Sequence, residues 1–583
     1  MASSNSKLAY NFNQRIFIVC LLLLSISLFL LLITFPPKSH PPTNQLPIRI
    51  QEKPIWFDLV QNEIKSGGDF GKIKVGFVNI DEDDDDLVHK IHDTVTSPVE
   101  TVRVRFDQVD ENLKWEDFFP EWIDEDNKWG PPTCPEIPMP SMTKRYEDLD
   151  VIVARVPCGD NQTSVFGSSG GGGGEKKGIR DLFRLQVNLV VAKLAVESGW
   201  VLPDVDRTVH IVFIGSCGPM VEMFRCDDLV QHVGDYWVYK PDMRRLKQKV
   251  LMPVGSCQIA PDQFAETGKE GWRQYMSQST LKTLKRTTFD HQREAYVTIL
   301  HSSEAYVCGA IALAQSIIQT HSKRDLVLLY DKSISSNSLR GLRAAGWKTK
   351  WISRIRSPFA KKDSYNEWNY SKLRLWQLTD YDKVIFIDAD LLILKNIDHL
   401  FVLPELSAAA NDLTLFNSGL MVVEPSLCKF EDMMLKSFEI GSYNGGDQGF
   451  LNEIFTWWHR LPKKMNTLKM FNKPEDEKHE IQDNLYAIHY LGLKPWMCYK
   501  DYDCNWDMES RRLFASDSAH KQWWKVHDVM PQRLQMYCLL TKKMDNRIKK
   551  WRGIARKANL SNGHWKIPVR DPRKYYNALV KQE

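Results

Sequence analysis

Two carboxylates, Asp388 and Asp390, close the run Lys383-Val384-Ile385-Phe386-Ile387-Asp388-Ala389-Asp390. A continuous apolar run is the pattern of a parallel strand buried on both faces. Strand alternation points residues i and i+2 to the same side. Two convergent anions are costly unless a cation neutralises them. Hard oxygen donors at a strand end suit Mg2+ or Mn2+ bridging phosphates, not zinc. Farther on, Ala487-Ile488-His489 ends another strand with an imidazole, a third ligand for such an ion. Tyr490, Leu491, Gly492 and Leu493 lead from it to Lys494, a point charge suited to phosphate. Asp-x-Asp recurs by chance and a lone histidine is commonly structural, so the set carries the reading.

Two more segments have the composition of a ligand-lining turn. Asn417, Ser418 and Gly419 form a small polar turn opening into the buried strand Leu420-Met421-Val422-Val423, where backbone can approach a ligand closely. Asn444, Gly445, Gly446, Asp447, Gln448 and Gly449 place an acid and an amide in a glycine-rich turn before a helix expected over 450–457. An acid at that place also serves as a helix cap.

These residues need a scaffold. The strand Ala295 to Leu300, the turn His301-Ser302-Ser303-Glu304, the helix Tyr306 to Thr320 and the strand Leu326 to Tyr330 read as a βαβ crossover, hence a parallel sheet. Ligands of such sheets bind at the carboxyl ends of the strands, where Ser302 and Ser303 stand. No Gly-x-Gly-x-x-Gly dinucleotide fingerprint is present. Upstream of about residue 290 a second α/β region is expected, with strands at 74–80, 150–154 and 209–214 and a helix over 179–197. The acidic run 81–86 reads as solvated loop, lacking the glycine and bidentate glutamate of a calcium loop, and the Gly/Ser tract 167–174 reads as flexible loop.

The N-terminus has its own logic. Residues 16–35 carry no charge and are long enough to span a bilayer, and Lys7 and Arg15 precede them. This predicts a cytoplasmic tail at 1–15, a transmembrane signal-anchor at 16–35 and, from six prolines, an extended stem at 36–54. Sequons at Asn161, Asn369 and Asn559 fit a luminal location for the remainder. Cys217/Cys226 and Cys498/Cys504 are near one another in sequence, which leaves their pairing open. At 583 residues the chain is too long for one core of ordinary size, and a net charge of +4 excludes a dedicated nucleic-acid binder. Nineteen tryptophans point to large aromatic cores.

Taken in order, Tyr296-Val297-Thr298, Asp388-Ala389-Asp390, Asn417-Ser418-Gly419, Gly446-Asp447-Gln448-Gly449 and His489 through Trp496 resemble glycosyltransferase family 8, which includes glycogenin and bacterial lipopolysaccharide galactosyltransferases. The stem, the N-terminal extension, residues 251–257 and 272–275 resemble its plant glucuronic-acid-substitution-of-xylan group. One departure is a single residue between Gly492 and Lys494, where glycogenin has two. The resemblance implies an α/β fold of GT-A type, with a Rossmann-like nucleotide-sugar-binding domain at 291–540, an α/β luminal region at 55–290 and a basic extension at 541–583. It implies Mn2+ on Asp388, Asp390 and His489, uridine at the turn Leu300 to Tyr306 (Ser302 and Ser303 included), and donor-pocket cations at Lys372 and Arg374. The residues from Asn417 to Gly419 and from Asn444 to Gln448 would surround the transferred sugar, with Asp447 and Gln448 nearest its anomeric carbon. Lys494 would take leaving-group charge, Arg374 is the candidate for a uronate carboxylate, and Trp368 and Trp496, beside that pocket, are the candidates to test as sugar-stacking platforms. The implied activity is retaining transfer of glucuronic acid from UDP-glucuronate to xylan, by a type II protein of the Golgi membrane. Another UDP-sugar donor, a catalytically silent glycan-binding subunit and self-association stay open.

Overall fold

The computed structural model describes residues 56–60, 72–81, 99–118, 135–158 except 142–143, 180–251 except 203–204, 293–471 except 413, and 478–573. The anchor, the stem, most of the acidic run, the Gly/Ser tract, the Asn161 sequon, nearly all of 251–257 and the whole of 272–275 lie outside them. Met1–Glu52 separates from Lys53–Glu583, and the account below concerns the second unit. Among the described residues no helix is long and apolar enough to cross a membrane.

The first sheet has six strands. In chain order they are β1 (Ile73–Val78), β2 (Val99–Val104), β3 (Val151–Arg155), β4 (His210–Ile214), β5 (Leu229–Val233) and β6 (Tyr236–Tyr239), arranged β2-β1-β3-β4-β6-β5. The first four are parallel, and β6 and β5 add an antiparallel edge. Helix α1 (Leu182–Gly199) is buried on nearly every side, as expected for a helix apolar all round. Helix α2 (Met243–Leu251) follows the sheet.

The second sheet has seven strands, β7 (Glu294–Leu300), β8 (Asp325–Tyr330), β9 (Lys348–Trp351), β10 (Lys383–Ile387), β12 (Ser407–Ala410), β13 (Phe416–Val423) and β14 (His459–Leu461), in the order β9-β8-β7-β10-β13-β12-β14. A small third sheet joins β11 (Leu391–Ile393), β16 (Ala487–His489) and β15 (Thr467–Leu468) in the order β11-β16-β15. Helix α3 (Val307–Gln319) makes the predicted crossover from β7 to the parallel β8. The sheet is mixed, however, because β13 runs antiparallel to β10. Side chains of α1, β7, β10 and β13 share one apolar cluster, so the two sheets bury a continuous core.

Three local expectations are corrected. Asn417, Ser418 and Gly419 lie within β13, which begins at Phe416, and form no turn. Their backbone is met group by group: the Ser418 amide donates to Gln448 Oε1, the Gly419 amide donates to Asn417 Oδ1, and the Gly419 carbonyl accepts from the Asp388 amide. Helix α4 spans Asp447–Ile454, so Asp447 and Gln448 open it instead of preceding it. Asp388 and Asp390 sit past the end of β10, in the turn into β11, where strand alternation no longer applies. Among the described residues the disulfides are Cys158–Cys217, Cys226–Cys428, Cys308–Cys538 and Cys498–Cys504, so Cys217 and Cys226 each pair elsewhere.

Candidate active site

The turn after β10 is held from two sides. The Asp388 amide donates to the Gly419 carbonyl at 2.8 Å, and the Tyr490 amide donates to the Asp390 carbonyl at 3.0 Å. Antiparallel pairing of β11 with β16 sets Leu391 opposite His489. The outcome is that Asp388, Asp390 and His489 offer ligand atoms within 4.8 Å of one another. Gly419 permits this approach, since a Cβ there would fall 2.6 Å from His489 Cε1.

Two lysines complete the cluster. Lys494 Nζ donates to Asp390 Oδ2 at 2.7 Å and also to the Tyr490 carbonyl. Despite the short loop, helped by Gly492 at φ +74°, Lys494 reaches the acidic pair. Lys372 Nζ lies 2.5 Å from Asp447 and 3.4 Å from Asp388, and donates to the Ser418 carbonyl at 3.1 Å. Burial pushes the Asp390 carboxyl up, but Lys494 and His489 outweigh it and hold the group well below the usual range. Asp388 ends above its ordinary value, because desolvation exceeds the attraction of Lys372. Burial likewise lowers Lys494 and Lys372, and their carboxylate partners reverse the sign.

Three carboxylates therefore face two ammoniums. With the imidazole neutral, as metal ligation requires, one negative charge remains. An under-neutralised Asp388 beside a second carboxylate and an imidazole fits a divalent cation of the Mn2+ or Mg2+ type. His489 Nε2 faces Asp390 Oδ1 at 3.3 Å, while its Nδ1 lies 3.2 Å from Asn466 Oδ1. An acceptor at Nδ1 fixes the tautomer that leaves Nε2 free for the ion. No motif marks Asn466. It lies just before β15, which pairs with β16, and only that pairing brings it to the histidine.

Among the residues expected around the transferred sugar, Ser418 Oγ donates to Asp447 Oδ2 at 2.8 Å and the Ser418 amide donates to Gln448 Oε1 at 3.2 Å. Asn417 Oδ1 accepts from the Asn466 amide at 2.9 Å. Asn444 Oδ1 accepts from the amides of Gly446 and Gly449, building the turn that starts α4, and the Gly445 carbonyl accepts from Ser357 Oγ. In the turn expected to bind uridine, Leu300 is buried at the end of β7. Ser302 has φ +66° and bonds Asp331 and Arg354, and Ser303 caps the turn. Tyr306 lies over Lys494, whose Nζ is 5.8 Å from the ring centre. Arg354 and Asp331, which hold this turn, are further residues that no motif identified.

Some expected members stand elsewhere. Arg374 bonds the Ser353 carbonyl and Gln377 and is not brought into the cluster. It shares with Lys372 the 3-10 helix Asn369–Gln377, where three residues make a turn, so positions two apart cannot share a face. Tyr490 and Leu493 are buried supports: the Tyr490 hydroxyl bonds the Ala519 carbonyl and the Leu493 amide bonds Asn505. Ala389 is buried and Leu491 half-buried. Trp496 is core, packed against Tyr306 and Trp523. One face of Trp368 carries the Arg354 guanidinium at 4.1 Å.

Known proteins extend this picture. The "Glycosyl transferase family 8" model matches residues 297–412 and 406–499, and the "GUX1-5 N-terminal domain" model matches 48–257. The metal-type cluster and the mixed sheet fall inside the first match, which makes the protein a UDP-sugar-dependent glycosyltransferase. In Arabidopsis thaliana, the protein named "Putative UDP-glucuronate:xylan alpha-glucuronosyltransferase 5" is 53% identical over 96% of this chain and 98% of its own. That named "UDP-glucuronate:xylan alpha-glucuronosyltransferase 2" is 49% identical over 88% of this chain and 82% of its own. Glycogenin-1 of Oryctolagus cuniculus is 30% identical over 40% of this chain and 75% of its own. The chain belongs to glycosyltransferase family 8, within its xylan alpha-glucuronosyltransferase group.

Proposed function

We propose that the protein transfers glucuronic acid from UDP-glucuronate to xylan with retention of anomeric configuration, in a Mn2+-dependent reaction at the luminal face of the Golgi membrane. The observation that carries the reading is the convergence of Asp388, Asp390 and His489 beside Lys494. Donor and acceptor follow from the names of relatives about half identical over most of the chain. The membrane assignment rests on the uncharged run at 16–35.

Asp388, Asp390 and His489 would hold the ion, which when bound supplies Lewis-acid stabilisation of the diphosphate. Lys494 is the residue of this chain that meets the charge growing on UDP as the glycosyl–phosphate bond breaks. The acceptor hydroxyl attacks from the leaving-group face, its oxygen bonding to the anomeric carbon while its proton passes to the departing phosphate oxygen. Asp447 is already engaged by Lys372 and Ser418, which favours a positioning role over a covalent one. Gln448 sits beside it, its amide held by the Tyr443 hydroxyl.

The test is a panel of UDP-sugars with and without Mn2+, using the full chain and xylo-oligosaccharide acceptors. The expected result is Mn2+-dependent transfer from UDP-glucuronate, abolished in Asp388→Ala. Release of UDP from UDP-glucose alone would replace the donor assignment, and normal turnover by Asp388→Ala would remove the metal assignment.

A further inference from the structure

A second feature lies outside the cluster. Between the edge strand β9 and the 3-10 helix Asn369–Gln377 there is a cavity of about 220 Å3, lined in part by Lys350, Trp351, Ser353, Arg374 and Gln377. That is smaller than the roughly 300–1,000 Å3 of drug-sized sites and suits a single sugar ring. Trp351 is 61% exposed, an unusual state for the largest side chain unless its face has a use.

Arg374 is the second anomaly. It is half-buried, and its bonds go to the Ser353 carbonyl and Gln377 Oε1. No carboxylate pairs with it among the described residues. Burial alone moves its titration, downward, with no compensating anion. A partly desolvated guanidinium without a counter-ion is costly, and its planar donors match a carboxylate. Lys350 adds positive charge, paired among the described residues with the exposed Asp380 at 3.5 Å. An exposed aromatic face, a guanidinium that meets two neutral oxygens and the Phe430 ring (5.4 Å to its centre) but no carboxylate among the described residues, and room for one ring share one place.

We propose that this cavity is a non-catalytic carbohydrate site that takes a uronate-bearing sugar of the polysaccharide, its ring on Trp351 and its carboxylate on Arg374. The occupant follows from charge complementarity and from the product of the proposed reaction, so this inference rests on that reading. The site would hold already substituted chain near the donor turn, since Arg354, one residue beyond Ser353, bonds Ser302.

The experiment is equilibrium binding to the full chain, with UDP and Mn2+ saturating so that the donor site is occupied. The ligands are a xylo-oligosaccharide bearing one glucuronate and the same compound with its carboxyl reduced to the alcohol. A charge-assisted contact predicts about tenfold or greater preference for the uronate form. Arg374→Gln should erase the preference. Trp351→Ala should weaken both ligands while transfer to unsubstituted xylo-oligosaccharide stays unchanged. Equal binding of the two ligands, or a preference that survives Arg374→Gln, overturns the proposal, as does binding unaffected by Trp351→Ala. Failure of the unaltered chain to transfer glucuronate would strike the functional reading instead, because the binding preference is measured without turnover.

Discussion

Lys372 and Asp447 meet at 2.5 Å, and the same ammonium lies 3.4 Å from Asp388. One buried cation thus joins Asp388 of the metal-type cluster to Asp447 at the first turn of its helix. It also donates to the carbonyl and hydroxyl of Ser418, so the strand β13 is held to the same point.

Lys372→Ala should therefore damage fold and chemistry together. Leaving buried carboxylates uncompensated costs about 3–5 kcal/mol, which denaturant unfolding would read. Turnover should fall at least ~100-fold, the scale seen when one preorganised electrostatic group is removed. A fully active, fully stable variant would show that Asp447 and Asp388 do not depend on this lysine.

Asn466→Ala tests whether the amide orients His489. Loss of a partner on the far nitrogen of a metal-type histidine typically costs about 10–100-fold in metal affinity. Mn2+ titration by calorimetry should show that loss with the melting temperature little changed. Unaltered affinity would mean that the contact at 3.2 Å is incidental.

Glu424 predicts acid sensitivity. Burial pushes its carboxyl up, but Lys383 and Arg225 outweigh this and hold it at about 2, below the ordinary 4.5. A depressed carboxyl stabilises the fold above its unfolded value and loses that contribution as pH falls from about 4.5 toward about 2. The shift corresponds to about 3 kcal/mol at neutral pH. Melting temperatures measured down that range should drop. Glu424→Gln should be less stable at pH 7 and show a shallower acid slope, and an identical slope would assign the acid loss to other groups.

Trp496 is predicted to matter for stability and not for sugar affinity. Its indole N–H donates to the Ala305 carbonyl at 2.8 Å, and its ring is buried against Tyr306 and Trp523. Trp496→Ala should cost about 3–5 kcal/mol in unfolding free energy. Trp496→Phe, which keeps most of the packing, should retain the acceptor KM of the unaltered chain. A large KM change in the phenylalanine variant would restore the stacking role.

Much was legible before any coordinates. The apolar run ahead of Asp388 could be read as a buried strand because burial on both faces leaves a local signature, and the same holds for β7, α3 and β8. The ligand trio could be named because hard donors and an imidazole at strand ends have few other uses in combination. Tertiary structure decided what no local pattern records. Lys372, not Arg374, enters the cluster because a 3-10 helix turns them to different faces. Cysteines 202 and 230 residues apart find one another, and Asn466 reaches His489, only through strand pairing and packing that join distant segments. Periodicity reports which side of an element is buried. Which charge neutralises which is a property of the assembled sheet.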